Sequence, residues 1–197
     1  MINALNIKKD KQEILVELLN RTRDKRRTHH LYLVSCYFKE QSVTELIKLV
    51  DRSIKLSGVT VYVDRKSALL LSEKEVQKIF EQTKLGDLGV DYYAVDSDQL
   101  FHSKAYAVIS CDQGNEIKSG SLVIGSANLT VSGLTRNGGN IECLLDTQNV
   151  NILDNFINQV NGLKKIKFDE VFKFRQQQKD DFNFKYALLN RGSFIHR

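Results

Sequence analysis

The chain contains no proline, against about 5% in an average protein, and that absence has no functional reading. Its other shortages exclude more. Only three cysteines occur, Cys36, Cys111 and Cys143, far apart and with no C-x-x-C pair. Each lies in an apolar, strand-like stretch, so buried free thiols are expected and a thiolate metal site is not. Histidine is nearly as scarce, with His29, His30, His102 and His196 the only four. No further ligand stands at metal-binding spacing from His29 and His30, so neither a metal nor another cofactor is expected. The amino terminus, "MINALNIKKDKQEILVELLN", has no apolar run long enough for a secretory signal or a membrane span. A cytoplasmic protein without a membrane partner is the expectation. No internal repeat, low-complexity tract or linker interrupts the chain.

What is present describes an ordinary folded protein. A length of 197 residues suits one full-sized domain, so residues 1–197 are read as a single unit. The segment from about 165 onward reads either as an arm or as the start of a further region. Hydrophobic content of 42% and charged content of 27% are those of a globular chain with a real core. The formal charge of +5 and the pI near 9.0 favour a polyanionic partner, although a spread excess of charge also serves solubility.

Strand and helix patterns alternate along the sequence. Residues 10–27 read as a helix carrying Ile14, Leu15, Leu18 and Leu19 on one face. "HLYLVSCYF" reads as a strand. "SVTELIKLVDRSIKL" reads as a helix opened by a Ser42–Glu45 capping box and stopped by Gly58. "VTVYVD" is a second strand and "SEKEVQKIFEQT" a second capped helix. "VDYYAV", "SKAYAVIS", "SLVIGS" and "NIECLL" supply four more strands, with a hairpin through "CDQGNEIKSG". "NVNILDNFINQVNGL" is a helix that packs over them. Near-continuous apolar strands separated by helices predict an α/β fold: a mixed, mostly parallel β-sheet covered by helices on both faces.

Three polar pairs break this apolar pattern. His102 and Lys104, at i and i+2, share a face if residues 100–110 are strand. Ser126 and Asn128 end "LVIGSAN", and Asn140 and Glu142 open the strand in "GGNIECLL". An unpaired charge in an apolar strand costs several kcal/mol, so these groups must satisfy one another. An imidazole, an ammonium, an amide, a hydroxyl and a carboxylate gathered at neighbouring strand ends suit the holding and attack of a phosphate.

"HSK", then "GSAN" with "LTVSGL", then "NIE", resembles the phospholipase D superfamily, whose signature is H-x-K followed by G-S-x-N and a downstream acidic residue. The likeness covers residues 100–145, and the upstream α/β pattern agrees with that family's fold. Where the family's compact motif has an aspartate five residues after the lysine, this chain has Ile109. That departure points away from the lipid-cleaving branch and towards the nuclease and restriction-enzyme branch.

The resemblance implies a metal-independent phosphodiesterase acting on DNA through a phosphohistidine, as the catalytic domain of a restriction or defence nuclease. It assigns His102 as nucleophile, Lys104 and Asn128 as stabilisers of the charged oxygens, and Glu142 as the acid that orients the imidazole. Ser126 and Gly125 would contact substrate. The reaction needs two histidines and the chain has no second H-x-K, so a homodimer sharing one composite site is implied. Continuation of the gene into a degenerate second half is the other solution. Two other functions stay open: a phospholipid hydrolase or phosphatidyl transferase, and a catalytically silent DNA-binding or dimerisation module.

Other polar features have readings of equal standing. "RTRDKRRTHH", residues 21–30, is a nucleic-acid patch or a solvated helix face. Asn128 could also cap a helix at "LTVSGL". Asp96 and Asp98 line the mouth of the site or simply solvate a loop. The tyrosines of "VDYYAV" read as sheet packing.

Overall fold

The computed structural model describes residues 11–22, 26–82, 88–97, 101–130 and 143–178, and the following statements concern those. In chain order they form α1 (Lys11–Leu19), β1 (His29–Ser35), α2 (Glu40–Asp51), β2 (Leu56–Asp64), α3 (Arg65–Leu69), α4 (Glu73–Gln82), β3 (Val90–Val95), β4 (Lys104–Cys111), β5 (Ile117–Gly125), β6 (Leu144–Thr147), α5 (Val150–Gly162), β7 (Lys165–Lys167) and α6 (Phe168–Gln178). The strands make one seven-stranded sheet in the order β6-β5-β4-β1-β2-β3-β7.

The α/β class and the mixed sheet agree with the sequence, but the expected predominance of parallel pairs does not. Only β1–β2 and β2–β3 are parallel. The pairs β1–β4, β4–β5, β5–β6 and β3–β7 are antiparallel. For β4–β5 the reason is local. No helix separates β4 from β5; a tight turn does, and a tight turn can only join antiparallel strands. In that turn the Asp112 carboxylate accepts the N–H groups of Gly114 and Glu116, each at 2.9 Å. Asn115 takes the left-handed conformation, which its short polar side chain tolerates.

Helices cover both sheet faces, unequally. On the first face lie Leu31, Leu33, Val59, Val61, Val63, Tyr92, Tyr106, Val108 and Val123. Leu15, Leu18 and Leu19 of α1, Val43, Leu46 and Val50 of α2, Ile79 of α4 and Phe168 of α6 pack on them. Each such buried side chain contributes about 1.5–3 kcal/mol relative to exposure. The opposite face carries a smaller cluster, with Val34, Tyr62, Ala105, Ala107 and Leu122 under Leu153 and Val160 of α5.

Several local expectations need correction. α1 closes at Leu19, short of residue 27. α2 begins at Glu40, so Ser42 lies within the helix and is buried, and Lys39 precedes it with no side-chain cap. The helix already ends at Asp51. Gly58 belongs to β2, where a Cβ would come within 2.9 Å of the His30 ring. The capping box of α4 is as expected: Ser72 N donates to Glu75 at 2.8 Å and Glu75 N donates back to Ser72 Oγ at 3.3 Å. The cysteines are free, but only Cys36 is buried, while Cys111 and Cys143 are exposed. Cys111 ends β4 just after a register shift, which takes it out of the packed ladder. Among the described residues no helix is long and apolar enough to cross a membrane.

Candidate active site at the upper strand ends

The carboxyl ends of β1, β2, β3 and β5 and the amino ends of β4 and β6 share one edge of the sheet. This topology brings together the segments after Ser35, Asp64, Val95 and Gly125 with the segment before Lys104. His102, Lys104, Ser126 and Asn128, the members of the three polar pairs among the described residues, lie at this edge.

His102 and Lys104 meet, though not as neighbours on one strand face. β4 begins at Lys104, and His102 is on the preceding loop, exposed. The lysine is 6% exposed and folds back onto that loop. Its Nζ lies 3.0 Å from both Nδ1 and Nε2 of His102 and donates to the His102 carbonyl at 3.1 Å. Ring lone pairs point in different directions in the ring plane, so one ammonium equidistant from both rests against the ring rather than along one lone pair. The imidazole stays open to solvent while the ammonium is sheltered. An exposed nitrogen nucleophile beside a nearly buried cation is a combination suited to an approaching phosphate.

Three residues unforeseen in the sequence build this end of the sheet. Asp64, 1% exposed, accepts Ser67 N at 3.1 Å as the N-cap of α3. Its other oxygen accepts Phe101 N at 3.1 Å, which ties the loop carrying His102 to the end of β2. Ser35, the cross-strand partner of Lys104, donates to Tyr37 O at 2.6 Å and accepts Leu129 N at 3.0 Å. The Tyr106 hydroxyl donates to Ala127 O. Together the last two clamp the turn after β5. A signal existed for each, since all three are polar groups in or at the end of apolar strand runs, but beside the local bonds to Ser67 and Tyr37 their partners at this end of the sheet are 21 to 94 residues away.

The G-S-x-N turn divides by role. At Gly125 a Cβ would stand 2.2 Å from Cys143 O and 2.6 Å from a Leu144 methyl, so glycine is required by the close approach of β6. Ser126 is exposed; its N donates to Cys143 O at 3.1 Å and its Oγ accepts Cys143 N at 3.0 Å, extending the β5–β6 ladder. Asn128 is half-buried, and its Oδ1 accepts Tyr37 N at 3.5 Å. Asn140, Glu142 and the stretch that a helix capped by Asn128 would occupy lie outside the described residues, as does Asp98.

Asp96, just after β3, stands at this same edge but is taken up by ion pairs, while the histidines of β1 lie at the other end. Asp96 bonds Lys164, at 2.8 Å, and Arg65, and these cations hold its carboxyl below the usual range. Arg21 of the basic stretch pairs with Asp146 at 3.0 Å, and Arg21, Arg26 and Arg27 are all exposed. His29 is fully buried at the opposite end of β1. His30, at that same end, bonds Thr60 Oγ1 at 2.8 Å, and burial pushes its imidazole down against the raising influence of Asp91. Burial also raises the Cys36 thiol, with Asp64 adding to the effect and Lys104 opposing it. The tyrosines Tyr92 and Tyr93 of β3 do pack: Tyr92 is 4% exposed in the first-face core, and Tyr93 stacks on Tyr62 at 5.7 Å. Among the described residues no group of three or more His, Cys, Asp or Glu side chains could hold a metal ion.

Residues 13–171 match the family described as the NgoFVII restriction endonuclease N-terminal PLD domain. No curated protein matches the sequence. Among solved structures it is similar to NucT from Helicobacter pylori, at 15% identity and a TM-score of 0.46, over 84% of this chain and 98% of that one. It is also similar to polyphosphate kinase from Porphyromonas gingivalis, at 14% identity and a TM-score of 0.52, over 81% of this chain and 25% of the other. Yeast tyrosyl-DNA phosphodiesterase is a more remote likeness, at 10% identity and a TM-score of 0.37, over 62% of this chain and 26% of that one. The chain thus spans about a quarter of the kinase and of the phosphodiesterase. The kinase likeness shows the fold alone.

Proposed function

The chain belongs to the NgoFVII restriction endonuclease N-terminal PLD domain family, and on that premise we propose that it is a metal-independent nuclease that hydrolyses DNA phosphodiesters through His102. The observation that carries the reading is the pairing of an exposed imidazole with the nearly buried Lys104 ammonium, 3.0 Å apart, at the open edge of the sheet. The family match and the excess of positive charge support DNA as the substrate.

In this reading a ring nitrogen of His102 attacks phosphorus, an N–P bond forms, and the P–O bond to the leaving nucleoside breaks. A proton from a second imidazole neutralises the leaving oxygen. Water, giving its proton back to that second imidazole, then attacks phosphorus and restores His102. Lys104 and Asn128 stabilise the charge gathered on the non-bridging oxygens. Glu142 accepts the other ring N–H of His102 and fixes its tautomer. Ser126 adds a hydrogen bond to the phosphate, and Gly125 gives the close approach of backbone that sets the turn. Lys104 is preorganised for its part, because Asp64 and Ser35 fix the loops on either side of it.

The second imidazole comes from a second copy of the chain. Among the described residues the other histidines, His29 and His30, lie at the far end of β1. A homodimer that places two His102 side chains across a two-fold axis supplies both groups. Mixing the His102→Ala protein with an excess of the parent chain should then lower activity by more than simple dilution.

The deciding experiment incubates the purified protein with plasmid DNA in EDTA beside His102→Ala. Cleavage by the parent alone is the expected result. Turnover of phospholipid without DNA cleavage would replace this reading with the lipid hydrolase. Salt-sensitive DNA binding without turnover in either protein would replace it with the silent binding module.

A further inference from the structure

A cavity of about 370 Å³ opens directly beside the His102–Lys104 pair. It lies where the smaller core, under α5, stops short of the strand ends. One wall is the polar segment from His102 to Lys104. The others are the half-buried rings of Phe101 and Phe156, with Leu163 behind them and Ile124, 49% exposed, at the rim. The exposed Gln159 on α5 is the polar side chain of the lining outside the His102–Lys104 segment.

We infer that this cavity receives one unstacked nucleobase of the strand whose phosphate lies against His102 and Lys104; the inference rests on the nuclease reading. Anything in the cavity is only a few bonds from a phosphate held by the pair, which is the relation of a base to its own phosphate. Aromatic rings accept a base of any identity by stacking. The amide of Gln159 offers a donor and an acceptor together, as the edge of a base requires. The volume falls near the small end of ligand sites, about 300–1,000 Å³, which suits one nucleoside better than the chains of a phospholipid.

Phe101 makes the arrangement coherent. Its backbone N–H is held by Asp64, so a single anchor fixes both the wall of the cavity and the adjacent nucleophile. A base can enter only after leaving its stack, so on duplex DNA the enzyme would flip that base out, a cost that a single strand does not carry.

Two measurements test this. The first is binding of a short fluorescent single strand to the His102→Ala protein, comparing an all-base strand with one carrying a series of abasic sites. Base removal should weaken binding about tenfold, and Phe156→Ala and Gln159→Ala should each shrink that difference. The second is cleavage of the same strands by the parent, where the abasic linkages should be cut about tenfold less well, through KM. Equal binding and cleavage of base and abasic strands would overturn the inference, whatever the variants do. So would displacement of the strand by a short-chain phospholipid but not by a nucleoside monophosphate, which would assign the cavity to acyl chains. Base-dependent binding with no cleavage by the parent would sink the nuclease reading and leave the base site standing.

Discussion

Two histidines stand at the beginnings of two neighbouring antiparallel strands, and the protein treats them in opposite ways. His29 opens β1 at the lower end of the sheet and is fully buried; its Nε2 lies 3.4 Å from Thr22 Oγ1, which in turn donates to Ser119 Oγ at 3.4 Å. His102 precedes β4 at the upper end, exposed, with its polar neighbour the Lys104 ammonium. At the lower end the hydroxyl groups are neutral and the packing is closed, so the imidazole serves the core. At the upper end a cation is held under an open ring, and any anion that arrives meets both. Residue type alone does not separate a histidine of the core from one open to an arriving anion; strand direction and the company each keeps do.

This contrast can be broken in stages. The largest effect is expected from His102→Ala, which should lower DNA cleavage by about a thousandfold or more while leaving the thermal midpoint nearly unchanged. Lys104→Met keeps the length of the side chain but removes its charge, and should cost about a hundredfold in kcat. His29→Ala should do the reverse. It should lose about 2 kcal/mol of stability in a denaturant titration through the cavity it leaves, and keep kcat in the folded fraction. If His29→Ala instead matched His102→Ala in activity with stability intact, the distinction between the two ends would be wrong.

Smaller effects sharpen the picture. Asp64→Ala removes a helix cap and the hold on Phe101, so about 1–2 kcal/mol of stability should go together with a loss of cleavage rate. Asp64→Asn, which keeps an acceptor oxygen, should restore part of both. The least effect belongs to Glu75 on α4. Burial would raise its carboxyl, but hydrogen bonds from Ser72 and Lys39 outweigh that and hold it at about 2, against an ordinary 4.5. A depressed carboxyl stabilises the fold above its unfolded pKa and loses that contribution as pH falls through the folded one. Glu75→Gln should therefore flatten the stability profile between about pH 4.5 and 2 by about 1 kcal/mol or less, read by thermal melts across that window.

The legibility of the molecule follows the range of the interactions involved. The strand at Val90–Val95, the capped helix at Glu73–Gln82 and the hairpin turn at Asp112–Glu116 depend on contacts within a few residues, and the sequence pattern marks them. The H-x-K and G-S-x-N motifs were equally visible. Less visible was that His102 would leave the strand and that Gly125 would be demanded by Cys143, because each outcome depends on a segment distant along the chain. The same holds for Asp64, which as the last residue of "VTVYVD" looks like an ordinary strand terminus until Phe101 is placed against it.

By itself the sequence determined the alternation of helix and strand, the apolar faces and the identity of the candidate site residues, since periodicity and motif spacing act over short stretches of chain. Only the tertiary structure decided that β4 lies antiparallel beside β1 and β7 beside β3, which histidine is sheltered and which open, and which carboxylate anchors the loop of His102. Those choices depend on pairings between residues tens of positions apart, where the cost of closing a long loop is met by the packing of the whole sheet rather than by any local preference.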